Sequence, residues 1–213
     1  ANNPITIIGN GVGLGYAPAG PAHEPTEDLC YMRAIEGLEI YSPSTFEQLQ
    51  YIFNETLANP KLRYLRLERT IHEDVVIRKH SSEQNIIELD LGVNLKSPSV
   101  ILISSGYMLK RCVDVARSLH SQGIEVKVLD IWKIKPLNSS LLKKQVDGTE
   151  LIVTLEEQYL EGAFGAAVLE ALSDESQLTH TLRLGFRKAY IFENGTREQL
   201  IDANGLSVTE ISR

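Results

Sequence analysis

The chain contains few cysteines, no long apolar run and no excess of basic residues. Only 2 of its 213 residues are cysteine, and they form no CxxC motif, which favours a reducing compartment over a disulfide-bonded secreted protein. No run reaches the roughly 18 apolar residues that a membrane-spanning helix needs. The first residues, ANNPITII, lack the basic segment and apolar core of a signal peptide. We therefore predict a cytoplasmic protein without membrane contact.

The chain is acidic overall. Its formal net charge is -7 and its isoelectric point is near 5.3. A surface of that sign repels phosphate backbones and anionic lipids, so we expect neither nucleic acid nor an anionic membrane among the partners. The length of 213 residues allows one large domain or two small ones, each with a hydrophobic core.

Short β-branched runs alternate with stretches of helical periodicity along the chain. Capping boxes are predicted at Ser44 with Glu47 and at Thr196 with Gln199, and Gly123 is predicted to end a helix. The predicted strands cover residues 5–8, 39–41, 62–67, 86–89, 100–103, 126–129, 151–155 and 182–184. The predicted helices cover residues 27–35, 44–59, 108–119, 162–172 and 196–205. This alternation predicts an α/β fold with mainly parallel sheets covered on both faces.

The composition changes between two parts of the chain. Residues 71–97 are charged and weakly periodic, which is typical of a linker, whereas strong alternation resumes at residue 99. We therefore predict two three-layer domains, one over residues 1–70 and one over residues 98–213, joined by the linker 71–97. Each is expected to fold separately.

Residues 11–28, GVGLGYAPAGPAHEPTED, form the most distinctive stretch of the chain. Glycine allows positive φ and close approach to the backbone, whereas proline fixes φ. We therefore predict that Gly13, Gly15, Gly20 and Pro21 hold a stiff loop that carries His23 to the start of a helix. The pattern fails as a dinucleotide fingerprint because its third glycine position is never glycine or alanine.

Two plainer interpretations of this stretch remain open. His23 can be a scaffold residue of the loop, with no part in chemistry. His23 and Glu27 have the one-turn spacing of a metal pair, but the sequence offers no third ligand, so we predict no metal site.

The order of several motifs resembles the transketolase family. The pyrimidine-binding domain of those enzymes is matched by AGPAHEPTED, MRAIEGLEIYSP and YLRLER, and their C-terminal domain by GIEVKVLDIWKIKPL, VTLEEQYLEGAFGAAVLEAL and LRLGF. The resemblance covers essentially the whole chain. It is closer to the C-terminal half of a transketolase than to the related deoxyxylulose-phosphate synthases or 2-oxoacid dehydrogenase β subunits.

The resemblance implies thiamine diphosphate chemistry with Mg²⁺, in which a two-carbon ketol unit passes between sugar phosphates. His23 matches the histidine that faces the aminopyrimidine and the donor sugar, where an imidazole can donate and accept protons. Either Arg66 or Arg69 matches an arginine that grips the sugar phosphate. If both lie on one strand, they point to opposite faces of it.

The chain also departs from the family pattern. The glutamate that bonds the pyrimidine ring would precede this sequence, and the GDG motif that holds the diphosphate and the metal is absent. Ala19 stands where an aspartate is common. The resemblance therefore implies a portion completed by an N-terminal half or by a separate thiamine-binding subunit, as a homodimer or heterotetramer. The alternative is a non-catalytic α/β interaction module that keeps the fold and the dimer surface.

Overall fold

The computed structural model describes residues 3–70, 85–93, 95, 98–177, 179–187 and 190–213. The strands are β1 (Thr6–Asn10), β2 (Glu39–Tyr41), β3 (Arg63–Leu67), β4 (Ile86–Glu88), β5 (Val100–Ser104), β6 (Val126–Ile131), β7 (Lys133–Lys135), β8 (Leu151–Tyr159) and β9 (His180–Phe186). The helices are α1 (Asp28–Ala34), α2 (Phe46–Ala58), α3 (Met108–Ser121), α4 (Ser139–Val146), α5 (Phe164–Asp174), α6 (Arg197–Ile201) and α7 (Val208–Ile211). The predicted α/β class is confirmed.

The first sheet is mainly parallel and has the order β1-β3-β2-β7. Strand β3 pairs in parallel with both β1 and β2, as expected when helices α1 and α2 connect successive strands. Strand β7 is antiparallel to β2. Residues 133–135 were expected to belong to the second domain, yet they form the edge of this sheet.

The second sheet has the order β4-β6-β5-β8-β9. All its pairs are parallel except β4 with β6. Helix α3 follows β5, and its predicted apolar stripe from Met108 to Leu119 is buried. Gly123, with φ +82°, follows the helix as predicted.

We call the described residues up to 70 the first half and those from 85 onward the second half. The halves share a core, in which Trp132 of the second half contacts two aromatic rings of the first. Its ring stacks on Tyr41 at a centroid distance of 6.1 Å and meets Tyr51 edge-on at 5.7 Å. The predicted linker lies partly outside the described residues, which exclude 71–84, 94, 96 and 97. The domain boundary therefore stays a prediction.

The start of α2 differs from the prediction. Its capping box consists of Thr45 and Gln48, not of Ser44 and Glu47. The Ser44 hydroxyl is engaged elsewhere, because it donates to Asp130 in the second half at 2.7 Å. The capping box of Thr196 with Gln199 is confirmed at the start of α6.

Candidate active-site loop

The loop that follows β1 contains two consecutive single-turn 3₁₀ helices. They cover Ala17–Ala19 and Pro21–His23, and each has a proline in its first two positions. Gly20 joins them with φ +76°, a conformation that favours glycine. The amide of His23 donates to the Gly20 carbonyl at 2.9 Å, which closes the second turn. The loop is therefore held by its own backbone hydrogen bonds. We call residues 11–23 the glycine loop.

Close approach explains two more glycines in this loop. Gly13 has φ +56°, and a Cβ there would lie 2.4 Å from Cδ of Glu157. A Cβ on Gly15 would lie 2.8 Å from the carbonyl carbon of Gly11. Any side chain at these positions would displace the neighbouring group, because real Cβ contacts are longer.

His23 stands at the end of the second turn with its side chain exposed. Among the described residues, none hydrogen-bonds to its imidazole ring. The next residue, Glu24, is buried, and neither of its carboxylate oxygens has a hydrogen-bond partner in the described part of the chain. Burial raises the pKa of Glu24. The imidazole of His23 is thus free to meet another molecule, whereas Glu24 faces inward.

Arg69 lies beside the glycine loop. It lies two residues beyond the end of β3, which ends at Leu67 as predicted, so it does not share a strand with Arg66. Its guanidinium packs over the Tyr16 ring at 4.4 Å and donates to the Gly15 carbonyl at 3.3 Å. The side chain is exposed, so this cation remains accessible from solvent.

Arg66 has a different environment. It lies within β3 and is 3% exposed, and its Nε donates to Oδ2 of Asp28 at 2.6 Å. The same carboxylate oxygen accepts from the Tyr64 hydroxyl at 2.8 Å. Within the described residues, Nη2 of Arg66 has no hydrogen-bond partner. Arg66 therefore belongs to the interior, and Arg69 is the arginine that the structure exposes next to the loop.

Two adjacent glutamates of β8 have different partners. Strand β8 extends beyond its predicted end, so Glu156 and Glu157 lie within the strand. Glu156 accepts from the amides of Phe164 and Gly165 at 2.8 and 2.9 Å, which caps the start of α5. Burial raises the pKa of Glu156 to about 7. Glu157 instead accepts from the Leu14 amide of the glycine loop at 3.2 Å.

The comparison with known protein families matches both parts of the chain. Residues 1–73 match the transketolase pyrimidine-binding domain, and residues 92–211 match the transketolase C-terminal domain. The chain belongs to the transketolase family. The predicted resemblance is thereby confirmed at the level of the family. The predicted preference for transketolases over deoxyxylulose-phosphate synthases stays a prediction.

Curated relatives of this transketolase-family chain include two bacterial enzymes. The 1-deoxy-D-xylulose-5-phosphate synthase of Prochlorococcus marinus is 28% identical over 212 residues, which cover 99% of this chain and 32% of that protein. Synthase 2 of Geobacter sulfurreducens is 27% identical over 218 residues, with 99% and 33% coverage. The chain thus spans about a third of the length of these relatives.

Solved structures share the fold. A split-gene transketolase, described as an inactive β4 tetramer, aligns with a TM-score of 0.82 and 24% identity over 97% of this chain and 64% of that one. The transketolase of Campylobacter jejuni aligns with a TM-score of 0.73 and 16% identity over 97% of this chain and 30% of that one. These likenesses confirm a transketolase-like arrangement of mainly parallel sheets and helices.

The motifs did not point to several residues that shape this transketolase-family loop. Asp28 ends the AGPAHEPTED motif, but only the structure reveals that it pairs with Arg66. Tyr16 lies within the glycine stretch and supports Arg69. Arg197 lies within a predicted capping box, between Thr196 and Gln199, yet nothing in the sequence connects it with Glu157. In the described residues, no helix is long and apolar enough to span a membrane, and no cluster of three or more potential metal ligands occurs.

Proposed function

We propose that this chain is the C-terminal portion of a thiamine-diphosphate-dependent, transketolase-like enzyme that moves a two-carbon ketol unit between sugar phosphates. The observation that carries the proposal is the exposed imidazole of His23, which has no hydrogen-bond partner among the described residues, on a loop shaped by glycine and proline that also contacts the exposed Arg69. An imidazole that can exchange protons and the guanidinium over the Tyr16 ring are thereby both accessible from solvent.

The cofactor would supply an electron sink for breaking a carbon–carbon bond. His23 would exchange protons with the hydroxyl groups of the donor sugar, because an imidazole both donates and accepts near neutral pH. Arg69 would bind the sugar phosphate through charge-assisted hydrogen bonds. The stack of Arg69 on Tyr16 leaves its guanidinium accessible while limiting the positions that it samples.

The proposal assigns the diphosphate and Mg²⁺ to an N-terminal half or to a separate thiamine-binding subunit. Strand β1 is an edge of the first sheet, and Ile5, Ile7 and Ile8 are 52%, 39% and 51% exposed. Parallel sheets are normally covered on both faces, so this exposed apolar edge supports packing against another polypeptide segment. The split-gene transketolase, which is described as an inactive β4 tetramer, supports the assignment of part of the active site to another polypeptide. We propose a homodimer or heterotetramer as the complete assembly.

A second candidate reaction follows from the curated relatives. They are named 1-deoxy-D-xylulose-5-phosphate synthases, so the complete enzyme can instead form that product.

The proposal includes a cytoplasmic location, which the two free cysteines, Cys30 and Cys112, support.

Reconstitution with a thiamine-binding N-terminal half tests the proposal. The chain alone should give no saturable heat in calorimetry with thiamine diphosphate and Mg²⁺, whereas the reconstituted enzyme should bind the cofactor. Micromolar binding by the chain alone would contradict the assignment of the cofactor site to another segment. Product analysis then separates ketol transfer from 1-deoxy-D-xylulose 5-phosphate formation. Cofactor binding without either product would favour a non-catalytic module.

The role of Arg69 can be tested in the same enzyme. Arg69→Ala should raise KM for phosphorylated donors and leave KM for unphosphorylated donors nearly unchanged, because it removes a contact made in the ground state. Arg117→Ala is the matched control, since Arg117 is an exposed arginine of α3. Equal effects of Arg69→Ala on both donor classes would exclude phosphate recognition by this residue.

A further inference from the structure

A buried carboxylate of the second half of the chain contacts the backbone of the glycine loop. Glu157 is 1% exposed, and its Oε2 accepts from the amide of Leu14, a residue that is also fully buried. The absence of a side chain on Gly13 makes this approach possible, because a Cβ there would overlap the Glu157 carboxylate. Glu157 thus contacts the loop at Leu14, the residue that follows Gly13.

Arg197, at the first position of α6, completes this contact. Its Nε donates to Oε2 of Glu157 at 2.9 Å, and its Nη2 donates to the Val12 carbonyl of the loop at 3.3 Å. The same Nη2 donates to Oε2 of Glu68, just after β3, at 2.8 Å. The guanidinium lies over the Tyr107 ring at 3.5 Å. One side chain therefore connects the loop, the end of β3 and two elements of the second half.

The charges in this cluster depend on one another. Glu68 and Glu157 are both buried, and Arg197 is the cation placed between them. Burial and the charge of Glu157 raise the pKa of Glu68 to about 7, while Arg197 acts in the opposite direction. Removal of one member of a buried charged cluster leaves its partners uncompensated, which is costly. Each charged group of the cluster is therefore held by the others, and two of them also contact the backbone of Val12 and Leu14.

We propose that Glu157 and Arg197 are positioning residues, which hold the glycine loop from the second half so that His23 and Arg69 face the substrate. The proposal rests on the proposed function for its catalytic consequence. Positioning matters because a misplacement of about 1 Å in a reacting group can cost roughly 10²-fold in rate. Neither residue needs to touch the substrate for this effect.

Hydrogen exchange of the chain tests the contact itself. Glu157→Gln places an NH₂ group against either the Leu14 amide or the Arg197 guanidinium, so one donor loses its acceptor. In either orientation the carboxylate charge that binds Arg197 is lost as well, so the contact with the loop weakens, and exchange of the Leu14 amide should accelerate by about tenfold, the equivalent of one lost hydrogen bond. Glu156→Gln is the matched control: it should accelerate exchange at Phe164 and leave Leu14 unchanged.

Kinetics of the reconstituted enzyme test the consequence. Glu157→Gln should lower kcat by roughly 10²-fold with a smaller change in KM, whereas Glu156→Gln should keep kcat within about twofold of the unmodified enzyme. Arg197→Lys provides a second variant, because lysine keeps the charge but cannot bridge three acceptors with a planar fork. Far-UV circular dichroism identifies which variants are folded before the comparison.

The outcomes distinguish the positioning role of Glu157 and Arg197 from the proposed function of the enzyme. Unchanged exchange at Leu14 in folded Glu157→Gln and Arg197→Lys overturns the positioning role. Faster exchange with unchanged kcat also overturns it, since the loop is then loosened without consequence. An unmodified reconstituted enzyme without activity refutes the proposed function instead, and in that case the exchange data still decide whether Glu157 and Arg197 hold the loop.

Discussion

Replacing Arg66 with methionine tests whether this arginine belongs to the interior or to the substrate site. The side chains of Arg66 and Asp28 are 3% and 7% exposed, and their ion pair has a length of 2.6 Å. Methionine would leave the Asp28 carboxylate buried, with the Tyr64 hydroxyl as its remaining side-chain donor among the described residues. Breaking a buried pair by removing one partner costs about 3–5 kcal/mol. We expect a loss of that size in the free energy of unfolding of the chain.

Arg69→Met is the matched comparison. Arg69 is exposed, and its main side-chain contact is the Tyr16 ring at 4.4 Å. An exposed cation–π contact contributes about 0.5–1 kcal/mol. The two substitutions remove the same chemical group from positions three residues apart in the chain. Their expected effects on stability nevertheless differ several-fold, because burial determines how much of the charge interaction is screened by water.

Urea unfolding measures both effects. The chain has 1 tryptophan, Trp132, which is 1% exposed and reports the loss of the shared core by fluorescence. The shift of the midpoint multiplied by the slope gives the change in free energy. Asp28→Asn in the Arg66→Met background should recover part of the loss, because it removes the uncompensated charge. An unchanged midpoint for Arg66→Met would refute the ion-pair assignment and make Arg66 a candidate phosphate ligand again.

Three further predictions follow from buried groups and from the loop. Gly165→Ala should destabilise the chain by about 1–3 kcal/mol, because its Cβ would lie 2.6 Å from Oγ1 of Thr154; a urea midpoint above that of the unmodified chain would contradict this. Burial raises the pKa of Asp130 from 3.8 to about 7, although two hydrogen bonds lower it. Between these two pH values the folded state binds the proton and the unfolded state has lost it. The free energy of unfolding therefore falls as the pH rises from 3.8 to about 7. Asp130→Asn should flatten that fall by at most about 1.4 kcal/mol per pH unit, and equal slopes for this variant and the exposed-site control Asp147→Asn would refute it. In the reconstituted enzyme, His23→Ala should lower kcat by roughly 10²–10⁴-fold with a much smaller change in the cofactor dissociation constant; near-normal kcat would make His23 a scaffold residue.

Local patterns in the sequence determined much of the fold. The capping box of Thr196 with Gln199, the stop at Gly123 and the buried stripe of α3 were all predicted and confirmed. Such signals depend on residues a few positions apart, whose backbone hydrogen bonds and helical spacing are set within one turn. The order of the motifs along the chain also identified the transketolase family, which the family comparison confirms.

Even local signals failed where a distant residue competed for the same group. Ser44 and Glu47 fit a capping box as well as Thr45 and Gln48 do. The structure uses the second pair, and the Ser44 hydroxyl donates to Asp130, which comes from the second half of the chain. The choice between two adjacent caps therefore depended on the docking of β6, a strand that the sequence predicted but whose position against the first half it did not reveal.

The candidate site likewise has features that the sequence predicts and features that only the tertiary structure reveals. The sequence by itself determined that a glycine- and proline-rich loop carries His23, that Arg66 lies in a later strand pattern and that Arg69 lies just after it. Only the tertiary structure decided that Arg66 is buried against Asp28, that Arg69 is exposed on Tyr16, and that the second half reaches the loop through Glu157. Burial and ion pairing arise from residues far apart in the chain, so they are fixed by how the two sheets pack and not by the spacing of residues along one element.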